Sequence, residues 1–554
     1  MRFSGFERGQ DPPNTIRNPQ ETPLPTLTTL TWAVVGIGVI LRATRYGQNA
    51  PLWWNEAFVA VNFLDRTYLD LLKPLDYGQV CPLGFLWIEK TIVGLFGFAE
   101  WSLRLYPLLA GIGALILFAR LALRVLTAPA AFLAVSVLAM AYHPIRLCSE
   151  AKPYASDLLA AVVVLWVASG GREKGRLGSG KAILGLSLLA PVLIFLSHPV
   201  VFVLGGVWCP LALERASAGR RRERPETLEQ PRMEWPVAAL GASIILGFGA
   251  GYALYTRGQS AATLEGMRAY WKADFPPLSE PWSLPTWLTE AHTGRMMAYP
   301  VGGAHGGSVL TFGLVLLGVI WLRKQGAWLA MLLLPFALTL LASALQRHPY
   351  GSHPRIAQHL APAISLLTGA GLESLRARIT SPGRRQRVLV SVAAGLLLVG
   401  IVPMAAEWSR PYRSEAENRA RAFARKNWSG RTSQAVSLRG IVPGAPRVSV
   451  DPDVPLMLCN LKIADPNVTL DTNEGPERVV RPTRFLIDYS TRLESPEIER
   501  WKKRMMRGAV RIEETDRTIN LGRGPRRVVC IEVRPTRSVV ATANASIEAQ
   551  KVSP

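Results

Sequence analysis

Residues 104–147 read RLYPLLAGIGALILFARLALRVLTAPAAFLAVSVLAMAYHPIRL. The stretch holds two apolar runs, 104–125 and 128–147, each near the roughly 20 residues a helix needs to cross a bilayer, with Arg120 and Arg124 close to their junction. That pattern predicts a pair of transmembrane helices, and the rest of the chain repeats it. Further apolar runs lie at 28–43, 156–170, 182–198, 199–213, 236–255, 308–323, 327–345, 358–374 and 387–404. The sequence of 554 residues is 49% hydrophobic, with a mean hydropathy of +0.18. The expectation is a polytopic all-α membrane bundle of about 11 transmembrane helices.

Net charge is +23, which in a soluble protein would suggest nucleic acid. Here the basic residues sit in short connectors: Arg120/Arg124, Arg172/Lys174/Arg176/Lys181, Arg220–Arg222/Arg224, Arg323/Lys324 and the cluster from Arg376 to Arg387. All fall on one side if the N-terminus is cytoplasmic, so the charge reads as topology and no nucleic-acid partner is expected. The predicted location is the cell inner membrane, with membrane lipids as neighbours. Residues 1–27 form a polar cytoplasmic tail that shows no cleavable signal, 28–404 the membrane domain, and 405–554 an extracytoplasmic domain. After Pro403 charged residues become frequent and long apolar runs stop. Helical spacing over 415–426 and short strands at 447–450, 485–489 and 527–533 predict a small α/β domain. The five cysteines show no zinc-ligand spacing; Cys459 and Cys530 read either as a pair or as buried thiols.

With this sidedness, 44–103, 143–155, 256–307 and 346–357 face outward, and the seven histidines (143, 198, 292, 305, 348, 353 and 359) lie in or beside outer segments. Residues 57–72 and 82–98 mix aromatics with charges, as helices lying along the interface do. In Pro51-Leu52-Trp53-Trp54-Asn55-Glu56-Ala57-Phe58, a carboxylate among indole rings reads either as a partly desolvated base or as part of an aromatic belt. Asp76, Tyr77 and Gln79, in a turn-rich return, offer hydrogen bonds suited to sugar hydroxyls or to ordinary turn chemistry. In His143-Pro144-Ile145-Arg146-Leu147-Cys148-Ser149-Glu150-Ala151-Lys152, the charges either hold a phosphate or pair with one another. Arg347, His348 and Arg355 mark the mouth of a later span, where a guanidinium either grips a lipid phosphate or snorkels. The loop 256–307, with Trp271, Trp282, Trp287, His292, Arg295, Tyr299 and His305, suits sugar binding or an interfacial lid.

Taken in order, these segments resemble the GT-C class of bacterial membrane glycosyltransferases, the superfamily of protein O-mannosyltransferases and aminoarabinose lipid A transferases. The resemblance rests on Asn55-Glu56, Gln79–Pro82, Arg104-Leu105-Tyr106-Pro107, Cys148-Ser149-Glu150-Ala151-Lys152 and Pro349-Tyr350-Gly351 followed by Arg355 and Pro362, and covers about 28–404. It implies transfer of a sugar from a polyprenyl-phosphate donor to a hydroxyl on a lipid, glycan or protein acceptor, with inversion at the anomeric carbon. By that resemblance Glu56 and Asn55 are catalytic, Arg355, Lys152, Arg347 and Glu150 bind the donor phosphate, and Asp76, Tyr77, Gln79 and His348 bind sugar or acceptor. The class usually carries an acid where this chain has Asn55, and an amide accepts no proton at neutral pH, so the base role falls to Glu56. Lys152 replaces an arginine and loses its bidentate fork. Some members use a divalent metal at the phosphate; Glu150, Asp76 and the histidines are conceivable ligands, and no spacing identifies a site. The alternatives are a lipid-linked-sugar transporter or flippase, and a sugar-lipid binding protein.

Overall fold

The computed structural model describes residues 26–64, 66–170, 178–221, 235–256, 258, 261–302, 307–351, 353–409, 414–428, 434–437, 453–464, 483–489, 509–520 and 525–535. Most of the N-terminal tail, the basic connectors at 171–177 and 222–234, His305 and the strand expected at 447–450 lie outside the described residues.

Each apolar run of the sequence falls on a helix. In chain order the helices are α1 (Leu27–Gly47), α2 (Trp54–Ala60), α3 (Leu83–Phe96), α4 (Glu100–Leu103), α5 (Leu105–Val125), α6 (Ala128–Ala139), α7 (Tyr142–Leu147), α8 (Tyr154–Ala168), α9 (Gly180–Leu196) and α10 (Val200–Arg221). They continue as α11 (Trp235–Gly251), α12 (Ala261–Tyr270), α13 (Leu284–Ala291), α14 (Gly307–Leu322), α15 (Gly326–Ala344), α16 (Ala361–Ala377), α17 (Pro382–Ser409), α18 (Ser414–Trp428) and α19 (Asp453–Ala464). Among the described residues, five helices are long and apolar enough to cross a membrane: α1, α4–α5 taken together, α11 with the turn after it, α15 and α17. Shorter apolar helices, α6, α8, α9 and α14, pack among them. The chain is a multi-pass membrane protein.

Prolines set several boundaries. The run 128–147 is not one helix: Pro144 has no N–H for the Met140 carbonyl, so α6 stops at Ala139 and the short α7 starts afresh. Pro199 separates α9 from α10 in the same way. The C-terminus of α6 is closed by Arg42 of α1, fully buried, whose guanidinium donates to the carbonyls of Ala139 (3.2 Å), Leu138 (3.4 Å) and Gly38 (2.9 Å). A cation at exposed terminal carbonyls both satisfies them and meets the negative end of the helix dipole. The segment 57–72, expected as one interfacial helix, breaks after Ala60 into short turns, whereas 82–98 does form the single helix α3.

Helices approach closely through small residues, as bilayer helices must where the hydrophobic effect between them is weak. A Cβ on Gly371 of α16 would meet the Leu314 carbonyl of α14, and one on Gly369 would come within 2.6 Å of Ala134 of α6.

Beyond α17, strands β1 (Gln434–Ser437), β2 (Thr483–Tyr489), β3 (Ala509–Asn520) and β4 (Pro525–Pro535) form one sheet in the order β1-β2-β4-β3. β1 and β2 are parallel, and the other pairs antiparallel. Helices α18 and α19 pack on the segment after α1: Ala420, Ala424, Leu456, Cys459 and Leu461 share a buried cluster with Leu52, Ala57 and Phe85. Cys459 is a thiol whose Sγ points to the Ala57 carbonyl at 3.9 Å, so the disulfide reading is set aside.

Gly371→Ala should lower thermal stability by about 1–3 kcal/mol through forced separation of α14 and α16, read as a lower Tm in detergent, while Gly395→Ala, in open space on α17, should leave Tm unchanged.

Candidate active site

The site begins with a turn. Trp53 caps α2, and Glu56 in its first turn reaches back to accept the Trp53 N–H at 3.1 Å. The same carboxylate accepts Arg104 Nε at 2.8 Å, Arg104 Nη2 at 2.6 Å and the Ala151 N–H at 2.8 Å. Arg104 also donates to the carbonyls of Ala50 and Pro51. Glu56 is 0% exposed and Arg104 4%. Four donors occupy the lone pairs that the base role expected of Glu56 would need, and the carboxylate ties the segments of Trp53, Arg104 and Ala151 together.

One of those segments carries a cluster of charged side chains. Arg146 lies in the last turn of α7, Glu150 and Lys152 follow in a tight turn in which the Lys152 N–H bonds the Glu150 carbonyl at 2.7 Å, and Tyr154 opens α8. Pro153 fixes the helix start, as proline does ahead of a first turn. Lys152 is buried and donates to Gln79 Oε1 at 2.7 Å. Gln79 in turn donates to the Tyr77 carbonyl at 3.2 Å. The Asn55 amide donates to Tyr154 Oη at 3.4 Å. Glu150 pairs loosely with Arg146 at 3.5 Å, and its Oε2 is buried with no hydrogen-bond partner among the described residues.

Arg355 comes from the opposite side of the sequence. Its Nη2 donates to Tyr270 Oη at 3.0 Å, its guanidinium lies 5.0 Å over the Trp271 ring, and its Nε is buried without a partner among the described residues. Its charge acts on Tyr154, Glu150 and Lys152, which places all four in one electrostatic field. Behind it the Asp274 carbonyl accepts the Tyr350 N–H at 2.9 Å and Ser343 Oγ at 3.2 Å, tying the loop to the start of the Arg355 segment.

Burial lowers Lys152 to about 8, with Arg355 adding to the fall and Cys81 and Glu150 opposing it. Burial raises the Glu150 carboxyl above its ordinary range, against the pull of Arg146. Three cations, Arg146, Lys152 and Arg355, thus face one carboxylate in a dry setting, which suits a ligand that brings negative charge and acceptor oxygens. Among the described residues no group of three or more His, Cys, Asp or Glu side chains could hold a metal ion, so neither Glu150, Asp76 nor the histidines form such a set.

The structure therefore gathers Asn55, Gln79, Glu150, Lys152 and Arg355. The side chains of the other expected residues make different contacts. Asp76 is tied to Arg66 at 3.0 Å. Tyr77, held in the left-handed region at φ +60°, stacks on Phe58 at 5.6 Å. His348 packs against Phe202 and His359 at 5.3 and 5.9 Å, where burial pushes it down to about 4. Arg347 is exposed. Sequence reading missed Tyr154 and Tyr270 as site residues and did not see Arg104 as the partner of Glu56; a tyrosine directly after Lys152-Pro153 at a helix start was the available signal.

No protein-family model matches this chain, and no curated protein matches it. Solved structures nevertheless share the fold. The chain is similar to the crystal structure of ArnT from Cupriavidus metallidurans bound to undecaprenyl phosphate, with a TM-score of 0.53 at 13% identity, covering 91% of this chain and 98% of that one. The apo state of the same ArnT gives 0.49 at 12% identity over 90% and 97%. The apo Archaeoglobus fulgidus oligosaccharyltransferase gives 0.42 at 12% over 79% and 64%.

Because Lys152 carries its charge only below about 8, affinity for a short alkyl phosphate should fall as pH rises through that value. Lys152→Arg should bind with no such fall over the same range, a comparison read by titration calorimetry.

Proposed function

We propose that the chain is a membrane glycosyltransferase that moves a sugar from a polyprenyl-phosphate donor to a hydroxyl acceptor. The observation that carries the reading is the cluster in which Lys152 and Arg355 share a field with Glu150, at the end of an apolar helical bundle where a lipid tail can stay in the membrane while its phosphate reaches protein donors. The ArnT structure to which the fold is similar contains undecaprenyl phosphate, a ligand of this class. The cluster-bearing end is read as the extracytoplasmic face, since the basic connectors then lie in the cytoplasm. The bundle is read as crossing the membrane eleven times, and the chain after α17 as a separate extracytoplasmic domain.

The chemistry is a displacement at the anomeric carbon. Arg355 and Lys152 hold the phosphate and take up the charge that develops on it as the C–O bond breaks. Glu150 accepts the proton of the attacking hydroxyl: its Oε2 has no other partner among the described residues, and burial raises its basicity toward working pH. Attack opposite the leaving phosphate inverts the anomeric centre. Asn55, hydrogen-bonded to Tyr154, orients sugar or acceptor and moves no proton. That neutral amide also supports a second reading, a protein that binds lipid-linked sugar without turning it over.

Release of polyprenyl phosphate from labelled polyprenyl-phosphate sugars by purified protein decides between the two. On the enzyme reading, Glu150→Gln should cut kcat by about 10²–10⁴ with an unchanged Tm, and Arg355→Ala should raise KM as well as lower kcat. Binding without any release by the wild type would sink the enzyme reading in favour of the binder.

Glu56→Gln should behave differently from Glu150→Gln. It loosens the four-donor knot and should lower Tm by the equivalent of about 3–5 kcal/mol; a stable variant with only kcat reduced would return the base role to Glu56.

A further inference from the structure

Three consecutive carbonyls, those of Asn49, Ala50 and Pro51, lead into the catalytic turn, and two arginines from distant parts of the chain take all three. Arg104 donates to Ala50 and Pro51. Arg421, on α18 beyond the last apolar helix, donates Nη2 to the Asn49 carbonyl at 2.8 Å and Nε to Glu100 Oε1 at 2.8 Å. Glu100 opens α4, one helical turn before Arg104, and is 2% exposed. Charges therefore alternate along one buried line, from Arg421 through Glu100 and Arg104 to Glu56.

Asn49 follows the C-cap of α1 in the left-handed region at φ +41°, which asparagine adopts readily at a helix end, so the turn is unstrained and its place against the bundle depends on a tertiary hold. Arg421 supplies that hold from one side, and α19 supplies packing from the other, where Leu456, Cys459 and Leu461 bury Ala57 at the far end of the same segment. The face of α2 opposite the cluster is thus built by the chain that follows the bundle.

We propose that Arg421 is a positioning residue for the reaction: through Glu100 and the Asn49 carbonyl, the α18–α19 pair sets the placement of Asn55 and the Glu56–Arg104 knot, so that the helices after the bundle are part of the active site. The catalytic half of this inference rests on the glycosyltransferase reading; the structural half does not. Arg421 touches none of the phosphate-binding groups among the described residues and reaches Lys152 only through the knot and the Ala151 N–H, so its loss should lower kcat more than it weakens phosphate affinity.

The test uses the full-length protein with Arg421→Ala, Arg421→Lys and Glu100→Gln, read by amide hydrogen exchange, alkyl-phosphate affinity and turnover. In Arg421→Ala, exchange over residues 49–57 should rise on the order of tenfold while α5 and α6 keep their protection. In the same variant kcat should fall about 10–100-fold, with a smaller change in KM for the donor. Arg421→Lys, which keeps the charge opposite Glu100, should recover part of both, and Glu100→Gln should reproduce part of the loss. Unchanged exchange over 49–57, or a rise spread evenly through the bundle, overturns the clamp. A local rise with kcat intact overturns the positioning role. If the wild type turns over no donor, the glycosyltransferase reading falls and takes the catalytic half with it, while exchange still decides the clamp.

Discussion

The Glu56–Arg104 ion pair is the constraint on which the site depends. Taking a carboxylate and a guanidinium out of water costs several kcal/mol each, and only saturated hydrogen bonding offsets that. Here the saturation is achieved with backbone: Glu56 accepts the N–H groups of Trp53 and Ala151, and Arg104 donates to the carbonyls of Ala50 and Pro51. The pair therefore ties residues 50–56, the start of α5 and the turn before α8 into one unit. Because Ala151 stands between Glu150 and Lys152, the turn that carries both is anchored by a carboxylate 95 residues earlier in the chain. A group so fully used for position has no lone pair left for chemistry.

The remaining charges divide the work. Lys152 is held by Gln79 in a dry setting that weakens its grip on its own proton, and Arg355 is braced by Tyr270 and Trp271. A lysine of reduced basicity gives a point charge that a phosphate can complete, while the arginine keeps its charge throughout. Glu150 sits among them with one oxygen unsatisfied, which is the state expected of a group waiting for a substrate proton or hydroxyl. On the proposed reading, Asn55 contributes a dipole where a charge would compete with the phosphate.

The helices were legible in the sequence because hydropathy acts over whole segments. Their breaks were less so. The run to Leu147 looked continuous, yet Pro144 ends α6 and Arg42 closes its last carbonyls from 97 residues away. Site residues followed the same division. Glu150, Lys152 and Gln79 could be picked out because charge and amide groups are conspicuous beside apolar runs, and Arg355 because it stands at a helix mouth. The bonds that give them meaning, Asn55 to Tyr154 across 99 residues and Arg355 to Tyr270 across 85, are tertiary and leave no local pattern. His348 and Arg347 are neighbours in the sequence, yet one packs against Phe202 and His359 while the other is exposed, a difference that no local pattern announces.

The central claim is that Lys152 and Arg355 jointly receive the phosphate of a lipid. Photo-crosslinking with a polyprenyl phosphate bearing a diazirine next to its phosphate tests this most directly, with the modified peptides mapped by mass spectrometry. The account predicts label on residues near 146–156 and 350–358, competed by unlabelled polyprenyl phosphate and lost in the Lys152→Ala, Arg355→Ala double variant. Competed label confined to other segments, or unaffected by the double variant, would contradict it.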